Sequence, residues 1–367
     1  MALNKIRLGD YIEKSTQNNN NLQYGAELIA GVNNEGVFTT PKGDTSDVNL
    51  KPYKIVNNGA FVYNPTRFNL GSIAYRTEGL CIVSHLYMIF YLNDEGKKII
   101  DPIYLYIYLR RKEFQREVTF RNFGSQRPEF NFNDISEIIM PLPDIETQRR
   151  YAEIHNSMVE NQRNYERGLE DLKLVCNAYI ERLRRKERLH RIGDYITLYN
   201  EKNVDGAITL EQGINIDKQF ITPQRSNSNL TGRKIVRHGM FAYCTQLNNE
   251  NVAIAYRDGE DCVVSSVYDV FEISKPQELL PEYLMLWLIR PEFGRFVYWA
   301  SVGSAYEFLN YENLAGYMIP VPDIEIQKAI GDIYLSYVKR KSINERLKEN
   351  IKNLGPILIK GSIEEAN

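Results

Sequence analysis

This chain says nearly the same thing twice, about 180 residues apart, and that repetition constrains its fold more than any other feature. Leu8-Gly9-Asp10-Tyr11-Ile12 returns as Ile192-Gly193-Asp194-Tyr195-Ile196, and Ile73-Ala74-Tyr75-Arg76 as Ile254-Ala255-Tyr256-Arg257. Pro141-Leu142-Pro143-Asp144-Ile145-Glu146 returns as Pro320-Val321-Pro322-Asp323-Ile324-Glu325, with Gln148 matching Gln327. Along these pairs the offset falls from 184 through 181 to 179, the drift that unequal loops produce between homologous domains. Two copies make a duplication rather than a solenoid array. Each copy ends in a long polar, helix-forming stretch. The pattern is one kind of task done at two places, a binding geometry before it is an enzyme.

The repeat sets the boundaries. One module covers 1–143, a long helix 144–189, a second module 190–322, and a second long helix with a tail 323–367. Within the modules Ile55-Val56, Phe61-Val62-Tyr63 and Cys81-Ile82-Val83, with their counterparts Ile235-Val236, Phe241-Ala242-Tyr243 and Cys262-Val263-Val264, are short β-prone runs bounded by Asn, Gly and Pro. Asp101-Pro102 and Leu280-Pro281 place a proline near a helix start, so Tyr104–Leu109 and Tyr283–Leu288 are expected as helices. Pro143-Asp144 and Pro322-Asp323 stop one element and cap the next, with Glu146 and Glu325 at the positive end of the helix dipole.

The first long helix carries a narrow stripe (Ile145, Ala152, Val159, Leu169, Leu172, Cys176, Ile180, Leu183), and its roughly 44 residues would reach roughly 65 Å. The second shows Ile324, Ile330, Ile333, Tyr337, Leu347, Ile351 and Leu354 before Gly355-Pro356, which is expected to break it. Each stripe needs a cover, and each helix is the obvious cover for the other. The expected fold is α+β: two mixed α/β modules in tandem, separated by a pair of long antiparallel coiled-coil helices.

Composition is that of an ordinary soluble globular protein, with 43% hydrophobic and 25% charged residues. No apolar run approaches a membrane span and the N-terminus lacks a signal-peptide core, so a cytoplasmic location without membrane contact is expected. Cys81, Cys176, Cys244 and Cys262 form no CxxC pair, and the four histidines are scattered, so a metal site has little support. Cys81 and Cys262, at matching positions in apolar runs, read as buried thiols. A net charge of −2 does not advertise a nucleic-acid binder. Charge is nonetheless local: Arg110–Arg127 carries a net +4, and a second basic cluster spans Arg182–Arg191. Either cluster alone suits a solvated helix face equally well.

Catalytic motifs fail. Asp101-Pro102-Ile103-Tyr104 and Asn64-Pro65-Thr66-Arg67 echo the loop of amino-methyltransferases, but both lack the second proline and neither survives in the repeat. Nucleotide-binding, zinc-protease and serine-hydrolase signatures are missing. Binding candidates are better placed. After matching strands come two polar loops that differ in content while their flanks agree: Asn64–Leu70, with Asn64, Thr66, Arg67 and Asn69, and Thr245–Asn251, with Thr245, Gln246 and Asn248. Such side chains read base edges by paired hydrogen bonds. Ser125, Gln126 and Arg127 occupy a place matching that of Ser304 and Tyr306. Arg121, Arg233, Lys234 and Arg237 are candidate phosphate contacts, with Arg225 and His238 beside the last three. An ordinary polar surface remains open for all of these.

Taken together, the two Pro-[LV]-Pro-Asp-Ile-Glu-x-Gln helix starts, the long helices after them and the Gly-Asp-Tyr-Ile openings resemble the DNA-specificity subunit of type I restriction–modification systems. The similarity covers almost the whole chain. It implies two target-recognition domains, each reading one half of a bipartite, non-palindromic site in double-stranded DNA. The helix pair would serve as spacer and as docking surface for two modification subunits. Those partners would carry S-adenosylmethionine and methylate adenines, restriction subunits with ATP and Mg would join to cut, and this chain would hold no cofactor and catalyse nothing itself. Half-sites about 34–36 Å apart suit a tilted rod of that length. The acidic balance departs from expectation and assigns much of the phosphate neutralisation to the partners. A two-headed, protein-binding scaffold on a coiled-coil strut is the alternative.

Overall fold

The computed structural model describes residues 4–41, 43–45, 47–121, 129–223, 229–247, 251–301 and 308–366. The chain forms two compact units, Met1–Asn164 with Asn344–Asn367, and Tyr165–Ile343.

In the first unit a four-stranded antiparallel sheet runs in the order Ile12–Lys14, Met88–Leu92, Phe61–Tyr63, Ile73–Tyr75. Both of its faces are covered. Phe61, Tyr63 and Phe90 point to the helical side, where the Phe61 and Phe90 rings stack at 4.8 Å. Val62, Ala74 and Ile89 point the other way, onto the pair Lys54–Val56 and Cys81–Val83. Period-two alternation with two buried faces explains why these strands read as continuous apolar runs. Helices α1 (Gly96–Ile99), α2 (Pro102–Arg110), α3 (Lys112–Arg121) and α4 (Phe132–Ser136) follow, then Ile139–Leu142, which pairs with Asn4–Arg7, then α5 (Ile145–Lys186).

The second unit repeats the plan. Its sheet order is Ile196–Tyr199, Tyr268–Ile273, Phe241–Cys244, Ile254–Tyr256, and Phe241 stacks on Phe271 at 4.9 Å. Helices α6 (Pro281–Leu288), α7 (Pro291–Ser301), α8 (Tyr311–Ala315) and α9 (Ile324–Glu365) complete it.

The repeated motifs are structural joints. A Cβ at Gly9 would meet Ser136 at 2.7 Å, and one at Gly193 would meet Ala315 at 2.8 Å, so each opening glycine lets its strand end touch the short helix α4 or α8. Fully buried Gln148 accepts from the Asp101 amide (2.9 Å) and donates to the carbonyls of Ile99 and Pro143 (both 2.8 Å). Gln327 makes the same three bonds to Leu280, Glu278 and Pro322. Arg76 and Arg257 each lie 5.1 Å over a phenylalanine, Phe38 and Phe220 respectively. Asp101 caps α2 by accepting from Ile103 and Tyr104, and Asp144 caps α5 by accepting from Glu146 and Thr147. The capping bonds from Thr147 hold the Asp144 carboxyl below the usual range.

Within each unit the long helices pair antiparallel. In the first, Gln162 donates to Asn344 (3.0 Å) and Arg150 meets Glu365 (2.6 Å), so early α5 lies on late α9. In the second, Arg340 sits over the Tyr165 ring, and Ile180 shares a core with Ile330.

One expectation is corrected: Gly355-Pro356 does not break the second long helix, which runs through to Glu365 with Pro356 inside it. An internal proline costs about 3 kcal/mol. Beyond it Leu358 and Ile359 are buried in the first module's core, each contributing about 1.5–3 kcal/mol, and the Ser362 hydroxyl lies 2.8 Å from that of Tyr104. Tertiary burial offsets the local penalty.

Candidate nucleic-acid interface

In the first module the loop after Phe61–Tyr63 is pinned from inside. Phe68 is buried against Tyr63, Phe114 and Phe130 at ring distances of 4.6, 5.5 and 5.3 Å, and the Pro65 carbonyl accepts from the Phe130 amide. Asn64 closes the turn by accepting from the amide (3.1 Å) and hydroxyl (2.9 Å) of Thr66. Asn64 therefore shapes the loop, Asn69 is half-buried, and Thr66 and Arg67 project into solvent.

The corresponding loop of the second module is pinned differently. The Thr245 amide and hydroxyl both donate to the Val267 carbonyl (2.9 Å each), and the Leu309 amide donates back to Thr245. Gln246 is exposed beside Thr245 and bridges to Phe308. Thr66, Arg67 and Gln246 are thus the outward-facing candidates on rigid supports. Ser125, Gln126, Arg127, Arg225, Asn248, Ser304 and Tyr306 lie outside the described residues.

The candidate phosphate contacts each have an acidic partner within their own module. Arg121 donates twice to Glu117 (3.1 and 2.9 Å), and Arg233 lies 3.8 Å from Glu211. Lys234 binds Asp269 and the Tyr268 carbonyl. Arg237 is gripped by Glu201 and Asp261, which hold its guanidinium above its ordinary pKa, and the His238 amide donates to Asp261. In the first module the place of the Arg237–Glu201 pair is taken by an uncharged one, Asn57 to Gln17 (3.3 Å). The groove beside Arg237 is lined by Glu201, Asp205 and Asp261 together with Lys202, so acidic side chains outnumber basic ones there. Among the described residues no His, Cys, Asp or Glu group is arranged to hold a metal. Burial pushes the Cys81 thiol up, and that of Cys262 to about 11, so both remain neutral thiols.

Two exposed residues escaped the sequence reading, Phe120 at the end of α3 and Trp299 at the end of α7. Their shared offset of 179 was the available signal.

The sequence matches the type I restriction modification DNA specificity domain twice, over residues 4–170 and 190–353. The chain belongs to this family of DNA sequence-specificity subunits, a non-catalytic class. No curated protein matches it. Among solved structures, the type I restriction–modification S subunit from M. genitalium is 12% identical over 99% of this chain and 96% of its own, with a TM-score of 0.60. A chain from a structure addressing complex assembly and conformational transition of the type I R-M system is 16% identical over 98% and 97%, with a TM-score of 0.51. The HsdS subunit from Thermoanaerobacter tengcongensis is 16% identical over 98% and 96%, with a TM-score of 0.42. The first two share this fold. No helix among the described residues is long and apolar enough to cross a membrane.

Proposed function

We propose that this chain directs two modification subunits to a bipartite site in double-stranded DNA, each module reading one half. Thr66 and Arg67 contact bases in one half-site and Gln246 in the other. The observation that carries this reading is a contrast between copies. Strand order, the asparagine caps at Asn131 and Asn310 and the buried Gln148 and Gln327 joints repeat, whereas the loops at Asn64–Leu70 and Thr245–Asn251 differ in sequence after matching strands. Retained supports with exchanged tips suit two readers of different sequences. Intramodule pairing of Arg121, Arg233, Lys234 and Arg237 supports leaving most phosphate neutralisation to the modification subunits. S-adenosylmethionine on those subunits, and ATP with Mg on restriction subunits where these join, supply the chemistry.

Single-molecule methylation sequencing of the native genome, with and without this gene, tests the reading. Loss of adenine methylation from one bipartite motif is the expected result. No change in any motif, with the modification subunits present, overturns it in favour of a protein-binding scaffold.

A further inference from the structure

Helices α3 and α7 each turn one face inward, Phe114 and Val118 in the first, Phe293 and Val297 in the second. On the outer face the same three residue classes recur at the same spacing: Glu113, Arg116 and Phe120, then Glu292, Arg295 and Trp299, all at an offset of 179. Residues three and four apart on a helix share a face. Phe120 is 81% exposed and Trp299 75%, among the most open large apolar side chains of the chain. A single exposed apolar residue needs no explanation. The same glutamate–arginine–aromatic row standing open in both copies does.

We infer that this row is a protein-docking surface, used once by each module, and that its occupant is the modification subunit, presenting an apolar socket to the aromatic ring. The inference rests on the proposed function for the identity of that partner. Three observations favour it. Loops that read different half-sites diverge between modules, whereas a surface meeting the same protein twice keeps its chemistry, as this one does. Each arginine stands beside a glutamate, Arg116 by Glu113 at 3.4 Å and Arg295 by Glu292 at 3.2 Å, the latter carboxylate also holding Arg290 at 3.0 Å, so the row presents a mixed-charge face rather than the purely cationic one that phosphate prefers. Aromatic residues and arginine are also the side chains that dominate protein-interface energetics.

The test uses the full-length chain with purified modification subunit, comparing Phe120→Ser, Trp299→Ser and the double variant by sedimentation. Each single variant is expected to weaken uptake of one of the two copies about tenfold or more, and the double variant both. Thermal melting should be unchanged, because both rings face solvent. Arg116→Glu and Arg295→Glu should weaken the same copies. Unaltered uptake by all variants overturns the surface while leaving the proposed function intact. A changed methylated sequence with unaltered uptake overturns it in favour of DNA contact. No uptake by the unsubstituted chain overturns the proposed function and this surface together.

Discussion

Arg110 and Lys218 do the same work from opposite sides of corresponding joints. Arg110, on the last turn of α2, donates to the Gly71 carbonyl (2.9 Å) and lies against Gly36 in the hairpin of Gly31–Val32 and Phe38–Thr39. In the second module the hairpin position is Lys218, which donates to the Leu288 carbonyl at the end of α6, while the helix position is Ile289. A cation joins hairpin to helix end in both copies, but the element supplying it has changed.

The exchange places Gly36 under two constraints, its backbone conformation and the Arg110 side chain. It sits at φ +76°, and a Cβ there would lie 1.6 Å from the Arg110 guanidinium. Gly36→Ala should destabilise the first unit by about 1–2 kcal/mol from the backbone conformation alone. Chemical denaturation followed by hydrogen exchange in 31–39 measures this, and an unchanged midpoint refutes it.

Lys218 should make the second unit pH-dependent. Burial lowers its pKa from 10.5 to about 8, so between these values the unfolded chain binds more protons than the folded one. Stability contributed at this site is therefore lowest below about pH 8 and rises toward pH 10.5. Lys218→Met should flatten that rise relative to the unsubstituted chain in paired denaturation curves at pH 7.5 and 10.

Gln148→Ala and Gln327→Ala each remove three hydrogen bonds from a fully buried joint. Groups left unpaired in such a place cost about 1–3 kcal/mol each. Exchange of backbone amides at 99–104 should accelerate in the first variant only, and at 278–284 in the second only. Acceleration at both places by one substitution contradicts separate joints.

A chain ending at Asn353 should lose the first unit's stability. Removing Leu358 and Ile359 strips about 3–6 kcal/mol of burial from that core. Calorimetry is expected to show a lowered transition for the first unit, with the second unchanged.

Arg67→Ala should relax one half-site and Gln246→Ala the other, each by about 1–3 kcal/mol per lost base contact. Methylation of a library randomised at every position of the site reads this out. Relaxation spread evenly over both halves argues against one reader per module.

The sequence carried the duplication, the paired strands, the helix starts at Asp101-Pro102 and Pro143-Asp144, and the long helices, because each rests on local chemistry repeated twice. It misjudged Pro356, where the local signal to stop is outweighed by burial of Leu358 and Ile359 on residues hundreds of positions earlier. The Arg110–Lys218 exchange was invisible because neither residue has a counterpart of its own kind. At the candidate interface, loop position was legible but not orientation. Whether Asn64 faces a base or closes a turn depends on Thr66 and the burial of Phe68, which no spacing reveals.

The run 344–366 belongs to the first unit, yet it leaves the ribosome only after all of 165–343. The first module's strands are thus made well before Leu358 and Ile359, and keep an open flank until those two residues arrive. Segments more than 340 residues apart, such as Ile6 and Ile359, meet in one core, so that closure is a contact of very high sequence separation. A ribosome that stalls in α9 releases a chain with one sealed module and one unsealed, which exposes apolar surface to chaperones and proteases.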